Sequence, residues 1–110
     1  MEMFKEVLET EDPDDLIANY GMGKSLFDLE EYDKSIYYFK KAIEIKKDYS
    51  IAYLYLGKSY ENINDLQNAL ETYKKGIIVA SQKGDLIPLK EMENKKFELE
   101  SKINGNFIKG

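Results

Sequence analysis

The chain has no cysteine, histidine or tryptophan, and its basic residues are all lysine, so arginine is missing as well. Each gap closes a class of chemistry. Without cysteine there are no disulfides, no thiolate nucleophile and no cysteine-ligated zinc or iron–sulfur site. Without histidine the usual proton carrier near neutral pH is gone. Without arginine there is no bidentate fork for phosphate or carboxylate. Only two prolines and seven glycines interrupt 110 residues, which leaves long stretches free for regular structure. Long apolar runs are lacking too: none approaches the ~18 residues of a membrane span. The acidic start, residues 1–15, lacks the basic-then-apolar pattern of a secretory signal. The expectation is a soluble, cytoplasmic protein, and a lysine-, asparagine- and isoleucine-rich vocabulary of this kind fits an AT-rich genome.

What is present is enough for a core. Hydrophobic residues make up 43% and aromatics 13%, so one packed domain is expected rather than disorder. A net charge of −5, with no basic cluster longer than a Lys-Lys pair, argues against a nucleic-acid partner.

Displaced by 34 positions, the chain matches itself. Ile17-Ala18 falls on Ile51-Ala52, Gly23-Lys24-Ser25 on Gly57-Lys58-Ser59, and Lys40-Lys41 on Lys74-Lys75. Ser35 falls on Ala69 and Phe39 on Tyr73. A fixed period of this length marks a helix–turn–helix array. In each unit a first apolar stripe (Met22, Leu26, Leu29; Tyr53, Leu56, Tyr60, Ile63) breaks at turn formers. A second then follows (Tyr32, Ser35, Ile36, Phe39, Ala42, Ile43; Leu66, Ala69, Leu70, Tyr73, Ile77). Gly23 with Ser35, and Gly57 with Ala69, are placed where the two helices of a unit cross closely. The run Gly21-Met22-Gly23-Lys24-Ser25 resembles the end of a phosphate loop but lacks the preceding strand and the upstream glycine, so packing is the better account.

Asp12-Pro13 is a predicted helix start, with a capping carboxylate and proline at the first helical position. Residues 1–11, with Met3, Phe4, Val7 and Leu8, read either as a short packing helix or as a frayed tail. Gly84 should end one helix and Asp85 cap the next. That last helix, 85–104, is expected to bury Leu86, Leu89, Met92 and Phe97, with Leu99 and Ile103 as further candidates, and to turn its charges outward. Residues 105–110 form a tail.

The pattern Tyr53-x2-Leu56-Gly57-x2-Tyr60, then Ala69-x3-Tyr73, resembles the tetratricopeptide repeat. Residues 13–48 are a more degenerate first repeat, with Asn19 at the leading aromatic position and Lys47 at the closing proline; residues 49–83 are the second. The resemblance implies an all-α fold, a right-handed superhelix of antiparallel helix pairs closed by a capping helix that replaces the missing neighbour. Short bacterial members share this layout. It further implies a non-catalytic module that binds a peptide or protein segment in a concave groove. By position, that groove is lined by Ile17, Tyr20, Lys24, Phe27 and Asp28 from the first unit. Ile51, Leu54, Tyr55, Lys58, Glu61 and Asn62 come from the second. Its two central lysines suit an acidic or carboxylate-bearing segment. The chaperone-tail clamp of some members needs Lys-x3-Asn and Lys-x3-Arg; here Tyr20-x3-Lys24 and Leu54-x3-Lys58 stand in their place.

No catalytic, cofactor-binding or metal site is expected. Adjacent carboxylates such as Glu30-Glu31 or Asp14-Asp15 point ~100° apart on a helix and do not converge. The serines have no histidine base. The competing reading is a homo-oligomeric scaffold subunit associating through Tyr37, Tyr38 and the convex face, or through the amino-terminal segment.

Overall fold

A computed structural model describes residues 2–105, with the side chains of Glu2, Thr10 and Glu11 outside the description. Of the predicted tail, 105–110, all but Gly105 therefore lies outside the described residues. These form six α-helices and no strand. They are α1 (Glu2–Glu6), α2 (Leu16–Asp28), α3 (Tyr32–Ile45), α4 (Ser50–Asn62), α5 (Leu66–Lys83) and α6 (Leu86–Ile103), with a wide π-type turn at Val7–Glu11 after α1. The helices stack in sequence: α2 on α3, α3 on α4, α4 on α5 and α5 on α6, with α4 also touching both α2 and α6. This is the all-α helical-repeat architecture that the period predicts.

The turn inside each pair is left-handed at one residue. Glu30 (φ 62°) and Asn64 (φ 63°) occupy equivalent places. Leu29 and Ile63, expected on the apolar stripes, fall in these turns as the residues that end α2 and α4, and are exposed at 57% and 39%. The close crossings are real, and what fills them is aromatic. A Cβ on Gly57 would overlap the Tyr73 ring, and one on Gly23 would come within 2.6 Å of the Phe39 ring. Both rings are fully buried. Ser35, also buried, shares a hydrogen bond of 2.9 Å with Ser59, stitching α3 to α4.

The leading position of each pair has a common task. In α4 the Tyr53 hydroxyl donates to the carbonyl of Lys47, 2.9 Å away. In α2 Asn19, buried at 2% exposure, donates through Nδ2 to the carbonyls of Pro13 (3.0 Å) and Asp15 (2.9 Å). Both side chains tie down the chain six residues earlier, and asparagine does with a short amide what tyrosine does with a long phenol.

This tie moves the expected helix start. Helix α2 begins at Leu16, not Pro13, and its cap is Asp15, whose carboxylate accepts from the Ala18 amide at 2.8 Å. Asp12 instead accepts from the Asp14 amide at 2.9 Å in a local turn. Of the two readings for the amino-terminal segment, the helix holds: the Phe4 ring lies where a Cβ on Gly21 would be, so α1 packs directly on α2.

At the other end Gly84, at φ 75°, terminates α5, and α6 buries Met92 and Leu99, with Leu89 packed against the same cluster. Leu86 and Phe97 are corrections: they are 67% and 71% exposed. At 100° per residue Phe97 lies about 140° round the helix from Met92, so the two cannot share a buried face. Leu54 is the other correction. It is 2% exposed and belongs to the core with Ala69, Leu70 and Tyr73.

Candidate binding groove

Helices α2 and α4 lie side by side, and their shared face carries an aromatic cluster centred on Tyr55. The Tyr55 ring meets Phe27 edge-on at 5.3 Å and Tyr20 at 6.4 Å, with buried Phe39 6.0 Å away. Tyr20 in turn meets Tyr49 at 5.4 Å, and Phe27 meets Tyr32 at 5.4 Å. Such edge-to-face pairs place ring hydrogens on π faces and hold the cluster rigid. Burial, reinforced by the neighbouring Tyr55 and Tyr49, pushes the Tyr20 phenol well above its ordinary value, so it stays a neutral hydrogen-bond donor.

Two ammonium groups sit on this cluster. Lys24 Nζ lies 4.2 Å from the Tyr55 ring centre and 5.7 Å from that of Phe27; Lys58 Nζ lies 4.9 Å from Tyr55. Cation–π contacts of this kind are worth ~0.5–2 kcal/mol and fix the lysine stems across the ring.

The electrostatics differ from the expected pair of free cations. Lys24 is 3.6 Å from Asp28, and Lys58 is 2.7 Å from Glu91 of α6. Lys95, also from α6, is 3.9 Å from Glu61, which in addition accepts the Tyr73 hydroxyl. Three lysines thus face three carboxylates, and an incoming carboxylate would have to displace one already in place. Phe27, Lys58, Glu61, Asn62 and Lys95 line an open cleft of about 360 Å³ at the carboxyl-terminal end of α4.

The residues expected in the groove therefore divide. Tyr20, Lys24, Phe27, Tyr55 and Lys58 come together; Asp28 joins them through Lys24, and Glu61 through Lys95. Asn62 borders the cleft, its amide turned back to the Lys58 carbonyl at 2.8 Å. Ile17, 61% exposed, and half-buried Ile51 lie one turn nearer the helix starts. Leu54 is withdrawn into the core. Glu91 and Lys95 were not foreseen. Their four-residue spacing puts them on one face of α6, but only the stacking of α6 against α4 reveals which face.

Three of the four carboxylates weighed as catalytic candidates are engaged elsewhere. Glu31 is 3.1 Å from Lys34, Asp14 is 3.2 Å from Lys41, and Asp15 caps α2. Among the described residues no helix is long and apolar enough to cross a membrane, and no acidic group of three or more could hold a metal ion.

Comparison with known proteins identifies the repeat and the fold. Tetratricopeptide repeat models match residues 23–64 and 51–82. A tetratricopeptide repeat domain protein from Salinibacter ruber is 30% identical over 83% of this chain and 92% of its own, with a TM-score of 0.73. The chain belongs to the tetratricopeptide repeat family. More distant structures share the fold. The TPR2B domain of yeast Sti1, solved in complex with pHsp70, is 17% identical over 92% of this chain and 80% of its own (TM-score 0.83). The Sgt2 repeat domain of Aspergillus fumigatus is 21% identical over 96% and 69% (TM-score 0.78). No match was found among curated proteins.

Proposed function

We propose that this protein is a non-catalytic interaction module that receives a peptide or protein segment on the concave face of α2 and α4. The observation that carries the reading is the Tyr20–Phe27–Tyr55 cluster, partly buried and held by edge-to-face contacts, with Lys24 and Lys58 laid across it. Rigid aromatics supply contact area at small entropic cost, which is what anchors an interface. The Sti1 domain, which shares this fold, was solved in complex with pHsp70, and that supports reading the fold as one that takes a partner.

Balanced charge sets the kind of segment. A ligand gains most by laying apolar or aromatic side chains on Tyr55 and Phe27 while matching the local alternation of lysine and carboxylate. A uniformly acidic tail must compete with Asp28 and Glu91. Selection of a displayed library of short random peptides on the wild-type protein tests this. Wild type should enrich apolar-containing peptides that the Tyr55→Ala/Lys58→Glu variant, folded by circular dichroism, no longer retains. Equal retention by both proteins would place binding elsewhere.

A further inference from the structure

Helix α6 uses two of its faces. Leu89, Met92 and Leu99 pack toward α5, and Glu91 and Lys95 pair with α4. The side turned away from α4 carries Leu86, Lys90, Glu93 and Phe97. Their spacing of four, three and four residues holds them within a stripe ~60° wide. All four are exposed, Leu86 and Phe97 at 67% and 71%. Glu91, Lys95 and Lys96 on the same helix are ion-paired, whereas Lys90 and Glu93 have no ion-pair partner among the described residues.

The stripe is complementary to itself. A two-fold axis passing between residues 91 and 92 maps position 86 onto 97 and position 90 onto 93. Two antiparallel copies of α6 would therefore set Leu86 against the second copy's Phe97 and Lys90 against the second copy's Glu93, each contact occurring twice, as an isologous interface requires. A stripe of alternating like charges, or one with its apolar residues off-centre, would not close on itself in this way.

We infer that the outer face of α6 is the contact between two copies of this chain, paired antiparallel about that axis. The second copy would lie against the side of α6 that is turned away from α4, covering Leu86 and Phe97. This inference does not depend on what the groove binds. The contact is one helix wide, under the ~1,200 Å² of a standard interface, so association is weak and reversible.

The test uses the whole chain. Sedimentation equilibrium between roughly 10 μM and 1 mM, the range suited to a small interface, should show mass rising from monomer toward dimer. Phe97→Lys, at an exposed position that does not threaten folding, should weaken association at least ~10-fold. Lys90→Glu or Glu93→Lys alone should each weaken it roughly 3- to 10-fold, and the double swap should restore it. Because the chain has no cysteine, an equimolar mixture of Leu86→Cys and Phe97→Cys proteins should oxidise to a mixed disulfide. Each variant alone should not, since its own pair sits ~16 Å apart along the helix axis. A monomer at all concentrations, a dimer indifferent to Phe97→Lys, or a charge swap without rescue would overturn the inference. So would a dimer lost instead on changing Tyr37.

Discussion

The crossing of α4 and α5 gives the sharpest test of the packing. Substituting Gly57→Ala adds one methyl, and that methyl overlaps the edge of the Tyr73 ring. The ring cannot swing away freely, because it is fully buried and its hydroxyl is held by Glu61. Overpacking of this kind costs ~1–3 kcal/mol. Against it stands the helix preference of alanine over glycine, ~1 kcal/mol in a helix interior. With a ring this confined the steric term dominates, and a net loss of ~1–2 kcal/mol is expected, a fall in Tm of roughly 4–15 °C for a domain of this size. In a Tyr73→Leu background the clash is gone and the propensity remains, so the same Gly57→Ala change should become neutral or stabilise by up to ~1 kcal/mol. Urea denaturation followed by circular dichroism at four corners of this cycle measures both. A neutral or stabilising Gly57→Ala in the wild-type background would refute the close crossing.

Two further expectations follow from particular residues. Glu30 is held at φ 62°, a region that favours glycine, so Glu30→Gly should raise stability by ~0.5–1 kcal/mol in the same denaturation assay, while Glu30→Val should lower it. Tyr20 and Tyr73 both have phenols pushed up chiefly by burial, with Tyr73 further raised by its bond to Glu61. Ionisation is thus harder in the folded chain, so the stability these groups contribute is intact below pH ~10 and declines as pH rises past it. Ultraviolet titration at tyrosinate absorbance should show these two of the nine tyrosines ionising together with alkaline loss of helix, and not before it.

Much of the architecture was legible because the repeat copies itself: Gly23 and Gly57, Phe39 and Tyr73 announce the same crossing twice. Legibility failed where one residue serves two demands. Asp12-Pro13 has the local chemistry of a helix start, yet the long-range tie from Asn19 to Pro13 and Asp15 draws that segment into a loop and passes the capping role to Asp15. Leu54 stands at a groove position by family alignment, but α4 has neighbours on both sides and buries more of its circumference than an end helix does. In α6 apolar residues occupy several faces, so periodicity alone could not say that Leu89, Met92 and Leu99 go inward and Leu86 and Phe97 outward. The groove's lysines were visible in the sequence, as was Asp28 one turn from Lys24; Glu91, the partner of Lys58, was not, because a contact 33 residues away leaves no local signal.

Whether ligands seat on the α2/α4 face can be read residue by residue from amide chemical shifts. A peptide selected by the wild-type protein should, on titration into the isotope-labelled chain, shift resonances of Tyr20, Lys24, Phe27, Tyr55 and Lys58 while leaving Lys40, Glu44 and Lys75 of α3 and α5 in place. Shifts concentrated on α3 and α5 would contradict the account and move the binding surface to the opposite side of the stack.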